Sequence, residues 1–289
     1  KFFCTASMSC PLFMDVSFCL DRLYELNNWL LSILGPSVKH FFTKTPFFLG
    51  FWAIFRQNPL FYQVSGVLAL HKSKVPIIPA NLNTIVDSTF IKISGRDITG
   101  KSSTKLTGYI KNNLFYNLEN VRKQSDIKEL YNKRFSKGNN KFLIKSFEEI
   151  NKFSYEEDFF INYNFTIDGY AQNIGSEIFI NPHLNKLVSL FKTKKDRKYG
   201  IEFDYKKQYS YTNIIEIPEG YTVDYMPESI TFKDDLITVK FSYKVDGNKV
   251  ISQQEVILNF ILLSVEQQKT VNTIIEKAEK AYKEIIILK

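Results

Sequence analysis

Beyond residue 73 the chain alternates apolar and polar residues in short runs, each closed by turn formers. The clearest run is 158–170, where Phe159, Ile161, Tyr163, Phe165 and Ile167 share one parity and Asp168-Gly169 supplies turn chemistry. Upstream, Ile91 and Ile93 alternate with Phe90, Lys92 and Ser94, and an antiparallel pair about Gly95–Gly100 is the simplest account. Downstream, "SEIFINP" ends at Pro182. Ile201, Phe203 and Tyr205, then Tyr209, Tyr211, Ile215 and Ile217, repeat the period of two. Pro218-Glu219-Gly220 predicts a turn, because proline presets φ and glycine accepts a positive one. Ile237, Val239, Phe241, Tyr243 and Val245 run into Asp246-Gly247-Asn248, a hairpin signal, and the partner run carries Val256, Leu258 and Phe260 on one parity.

Two segments carry a helical period instead. Ile127, Leu130, Tyr131 and Phe135 mark one over about 125–136, with Ser125 as the expected N-cap, Asp126 and Glu129 in the first turn, and "SKGNN" as the stop. Val271, Ile274, Ile275, Ala278, Tyr282 and Ile285 mark a second over about 266–284, after which "IIILK" reads as a last short strand. The fold class expected is mainly β: an antiparallel β-sandwich with two accessory α-helices.

Composition breaks near residue 73. Of 289 residues, 44% are hydrophobic and 24% charged, and the net charge is +8, all ordinary for a globular chain. The first quarter nevertheless holds all three cysteines (Cys4, Cys10, Cys19), both tryptophans, 11 of the 26 phenylalanines and only three acids. Three readings stand for residues 1–73: a membrane segment, a buried aromatic part of the parent protein, or a stretch not read in its native frame. The charge-free runs 26–38, 45–55 and 57–70 fall short of the roughly 18–20 apolar residues that cross a bilayer, which speaks against a membrane. An AT-rich gene encoding Lys and Asn would give Phe, Leu, Cys and Ser when misread. The chain opens on Lys1, which suggests a fragment of a longer protein.

Candidate chemistry is sparse. His40, His71 and His183 lack a second ligand at metal spacing, and the three cysteines lack a zinc-type pair, so neither metal nor cofactor is expected. A nucleophilic Cys10 with His40 or His71 has no supporting flanks. The carboxylate pairs Glu148–Glu149, Glu156–Glu157 and Asp234–Asp235 read as solvated acids at turns or strand entrances. The run "KTKKDRK", with Lys194, Lys195 and Arg197, reads as a solvated loop or a polyanion patch. Elsewhere the basic residues are scattered and no nucleic-acid reading motif accompanies them. Tyr205, Tyr209, Tyr211, Tyr221, Tyr225 and Tyr243 fill sheet edges or form an aromatic platform, with Tyr221 and Tyr225 the best binding candidates.

"FINP" (179–182), "RKYGIEFDY" (197–205), "YSYTNIIEIPEGYTVDYMP" (209–227), the hairpin, the helix and the terminal "IIILK" follow in an order that resembles the C-terminal β domain of bacterial transglutaminase-like proteins. Residues 74–109 also look like the segment that follows the papain-like core there, so the resemblance covers about 74–289. It implies a periplasmic or extracellular setting and a Cys–His–Asp triad in a core upstream of residue 74. No position in this chain matches the triad's motif, and no catalytic residue is carried over. The expected function is a non-catalytic accessory domain whose partners are the transglutaminase-like core of its parent and a protein or peptide substrate. The alternatives are a cysteine hydrolase or acyl-transferase using Cys10 or Cys19, and a carbohydrate-binding sandwich.

Overall fold

The computed structural model describes residues 76–289. The readings of residues 1–73, including the Cys10 and Cys19 nucleophiles, lie outside the described residues.

Fourteen strands and three α-helices are found among the described residues. They run β1 Thr84–Ser94, β2 Asp97–Leu106, α1 Gly108–Glu119, α2 Gln124–Arg134, β3 Phe142–Ile150, β4 Phe159–Ile167, β5 Gln172–Ile174 and β6 Glu177–Ile180. There follow β7 Ile201–Glu202, β8 Lys207–Glu216, β9 Val223–Tyr225, β10 Ile230–Lys233, β11 Ile237–Asp246, β12 Lys249–Leu258, β13 Leu262–Leu263, α3 Val265–Ala281 and β14 Ile286–Leu288. Eight strands form one sheet in the order β10-β11-β12-β8-β1-β2-β4-β3, four form a second in the order β5-β6-β14-β9, and β13 pairs with β7. The fold is mainly β and dominated by antiparallel pairs, as the alternation predicts. One pair departs from that: β1 and β8 run parallel, Ile85 opposite Tyr209 and Ile91 opposite Ile215.

The large sheet buries one face. Side chains of a single parity point into the core from six of its strands: Ile85 and Ile91, Ile98 and Leu106, Phe159 to Ile167, Tyr209 and Ile215, Val250 and Val256, Val239 and Phe241; in β3 a bulge shifts the inward set from Phe142 and Ile144 to Phe147. The other face is mostly polar and meets water, with Val86, Phe90, Phe160 and Ile251 among its partly exposed apolar positions, so the period of two records a sheet covered on one side only. What covers it is largely helical. From α1, Phe115 meets Phe159 edge-on, while Tyr131 of α2 packs on Phe147 and Phe135, just past the end of α2, stacks on Tyr163. Tyr282, closing α3, meets Phe241, and the four-stranded sheet adds Ile178, Ile180, Ile286 and Leu288 to the same core.

Several local readings need correction. Helix α1 was not among the expected elements, although Ile110, Leu114, Phe115 and Leu118 are buried along one side of it at helical spacing. Ser125 is not the cap of α2: the N-cap is Lys123, and the Ser125 hydroxyl donates to the Asp126 carboxylate instead. Glu148 and Glu149 lie within edge strand β3, where Glu149 accepts from Tyr131 and pairs with Lys152. Helix α3 starts on a capping box not read from sequence, in which Ser264 Oγ accepts from Gln267 N and the Gln267 side chain accepts from Ser264 N. The hairpins at Gly95 and Gly247 form as the turn residues dictate, both glycines at positive φ.

Candidate functional site

Both sheets end at one place. β9 is the outer strand of the four-stranded sheet, β10 is the outer strand of the large one, and residues 226–229 join them. With the last turns of α3 they enclose a groove of about 470 Å³, whose walls include Tyr225, Pro227, Ile230, Phe232, Tyr243 and Glu284. Tyr225 Oη donates to Glu284 Oε2 at 3.1 Å, and that bonded carboxylate holds the phenol pKa above its ordinary value. Tyr225 is 44% exposed and Ile230 41%, so both present apolar area to an incoming chain. Among the described residues β10 has no partner on its outer edge. Unpaired backbone groups beside an apolar groove are a template for an added strand.

The groove's floor is fixed from below. Tyr243 Oη lies 2.7 Å from His183 Nε2, and Tyr243 N donates to Ser229 Oγ at 3.1 Å, which holds the joining loop. His183 is buried against the rings of Phe241, Tyr243 and Tyr282. Burial, with a smaller push from the Lys186 ammonium, drives its pKa down to about 3. This imidazole is therefore neutral at pH 7. It reaches the groove only through Tyr243, so it acts as a support for the groove.

The residues singled out from sequence fall in three separate grooves. Tyr225 lines the one just described. Tyr221 lines a groove of about 780 Å³ between the Pro218–Gly220 turn and the β11–β12 turn. Lys194, Lys195 and Arg197 line a cleft of about 320 Å³ against α3 with Lys269 and Glu276. Asn272 pins that basic loop, its Oδ1 accepting from Thr193 N and its Nδ2 donating to Thr193 O, each at 2.9 Å. Lys192 is bound to Glu279 at 2.7 Å, so part of the loop's charge is already paired.

A second cluster lies inside the core and was not read from sequence. The Asp87 and Lys137 side chains are 2% and 1% exposed and meet at 2.7 Å. Thr89 donates to Asp87 Oδ1, and Ser102 and Thr104 donate to Oδ2, so the carboxylate is saturated with donors. Burial opposes the charge, but the Lys137 ammonium and the Thr104 and Thr89 hydroxyls outweigh it and keep the Asp87 pKa below the ordinary range. For Lys137 burial lowers the pKa more than Asp87 restores it. Asp87 was detectable by parity, since it shares the inward register of Ile85, Thr89 and Ile91. Lys137, within the "SKGNN" stop, carries no such signal. Among the described residues no three His, Cys, Asp or Glu side chains gather as a metal site, and no helix is long and apolar enough to cross a membrane.

The family described as a domain of unknown function with a solved structure, DUF3858, matches residues 176–288. That span runs from β6 to β14 and includes the whole β9–β10–α3 groove. A crystal structure described as a "putative protease" from Parabacteroides distasonis is similar at 12% identity with a TM-score of 0.31. The match covers 34% of this chain and only 20% of that one, a likeness too slight to carry fold or activity across. No curated protein matches the chain.

Proposed function

We propose that residues 76–289 act as a non-catalytic accessory domain that holds an extended protein segment in the β9–β10–α3 groove. In this reading the segment is presented to a transglutaminase-like core of the parent protein, in the periplasm or outside the cell. The observation that carries the binding role is the open β10 edge beside a groove whose tyrosine and apolar walls are flanked by Glu228, Lys277, Lys280 and Glu284. A strand added there gains main-chain hydrogen bonds, while Tyr225, Ile230 and Phe232 receive alternate side chains. The residue order of 179–227 is what supports the transglutaminase-like parent. The accessory role agrees with the placement of the buried charged and imidazole groups: Asp87, Lys137 and His183 have their partners inside the core and do not line the groove.

Random dodecapeptides displayed on phage and selected on the full chain supply a probe, and fluorescence anisotropy of an enriched peptide measures its Kd. Tyr225→Ala and Ile230→Glu should each weaken that peptide about tenfold, the loss of roughly one well-placed contact. Tyr221→Ala, in a different groove, should leave it unchanged. If selection enriches no peptide, or if the groove variants bind as the unaltered chain does, the reading is wrong.

A further inference from the structure

Lys137 has a second neighbour. Its Nζ, 2.7 Å from Asp87 Oδ1, is also 3.4 Å from Asn185 Oδ1, in the segment that follows β6. The rings of Tyr163 and Tyr211 stand 5.9 and 6.0 Å from the same nitrogen and help to shut it from water. An amine and a carboxylate shut from water therefore meet a half-buried carboxamide at the edge of the core. We propose that Lys137 and Asn185 join in an intramolecular isopeptide bond, with Asp87 as the proton acceptor.

The step needs nothing from outside the cluster. Asp87, held ionised and aimed by Thr89, Ser102 and Thr104, takes a proton from the Lys137 ammonium. The freed lone pair on Nζ attacks Asn185 Cγ and forms the new C–N bond. The bond from Cγ to the side-chain amide nitrogen breaks, and that nitrogen leaves with the second Nζ proton as ammonia. The proton parked on Asp87 goes out with it as ammonium, so atoms and charge balance without oxidant or cofactor. A carboxamide is a poor electrophile in water. Here the packing holds amine and amide in contact for the life of the fold, and such fixed proximity offsets much of the barrier. The product would tie the loop after α2 to the segment after β6, across 48 residues of chain, in a region that contains no cysteine. A covalent staple there would resist pulling on the domain as a disulfide would.

Intact mass spectrometry of the denatured full chain decides the question. The expected mass is lower than that of the sequence by about 17 Da, one ammonia. Trypsin should fail to cut after Lys137 and release a single species joining the Lys137 and Asn185 peptides. Asn185→Ala keeps the Asp87–Lys137 pair, so it should stay folded by near-UV circular dichroism while returning to the sequence mass. Asp87→Ala strands a buried ammonium and risks unfolding, so the test does not depend on it. The sequence mass in the unaltered chain overturns the proposal and leaves an inert ion pair. A loss of about 18 Da, one water, overturns it differently, because the bond would then lie on Asp87.

Discussion

Acid should weaken this fold through one imidazole. His183 is 1% exposed, ringed by Phe241, Tyr243 and Tyr282, and has Tyr243 Oη as its ring partner at 2.7 Å. Burial lowers its pKa from 6.5 to about 3. Between those values the unfolded chain binds a proton at this site and the folded chain does not, so stability must fall as pH falls. The contribution is complete above the unfolded value near 6.5 and disappears progressively toward 3. At pH 5, about one and a half units below the ordinary imidazole value, the deficit is about 2 kcal/mol. Asp87 is common to the unaltered chain and to a His183 variant, so its own titration cancels when the two are compared. Urea unfolding of the full chain, followed by circular dichroism at pH 7.5, 6 and 5, measures the loss directly. His183→Gln keeps a polar partner for Tyr243 but cannot titrate, so the difference between the two chains isolates this site from the other histidines. The unaltered chain should lose about 2 kcal/mol relative to the variant between pH 7.5 and 5. Parallel pH profiles would refute the reasoning, since they would mean that His183 protonates as easily folded as unfolded.

Two substitutions test the packing. A Cβ at Gly100 would lie 2.3 Å from Phe165 Cζ, with the rest of that buried ring behind it, so Gly100→Ala should cost about 1–3 kcal/mol in urea unfolding. Lys111 is buried and its Nζ donates to the carbonyls of Ser154, Tyr155 and Glu157 at 3.1, 2.9 and 2.7 Å. It clamps a loop in which Asn151 and Phe153 hold positive φ without being glycine. Lys111→Met keeps the apolar stem and removes the donors. It should cost about 2–3 kcal/mol and speed hydrogen exchange in 151–158 before the rest of the fold.

Much of the architecture could be read along the chain, because strand and helix periods are properties of neighbouring residues. The inward parity of Phe159 to Ile167 is present in the structure, as are the Gly247 hairpin, the α3 stripe and the terminal strand Ile286–Leu288. Helix α1 escaped because Gly108 and Tyr109 look like the close of a strand region, and three asparagines interrupt the stripe that follows. Of the groove, Tyr225 and Tyr243 were legible as members of the tyrosine series. Ile230, Phe232 and Glu284 were not, since each is unremarkable in its own segment.

By itself the sequence determined which residues turn inward and where the chain reverses, since both follow from local backbone geometry and side-chain size. Tertiary structure alone decided that β1 lies parallel to β8, more than a hundred residues away, and that β9, β10 and α3 meet around one groove. It also brought Asp87, Lys137 and Asn185 together from a strand and two loops. No local pattern encodes those meetings. They arise because the large sheet has one apolar face to cover, and the elements that cover it bring their few polar groups into the same dry space, where each must find a partner.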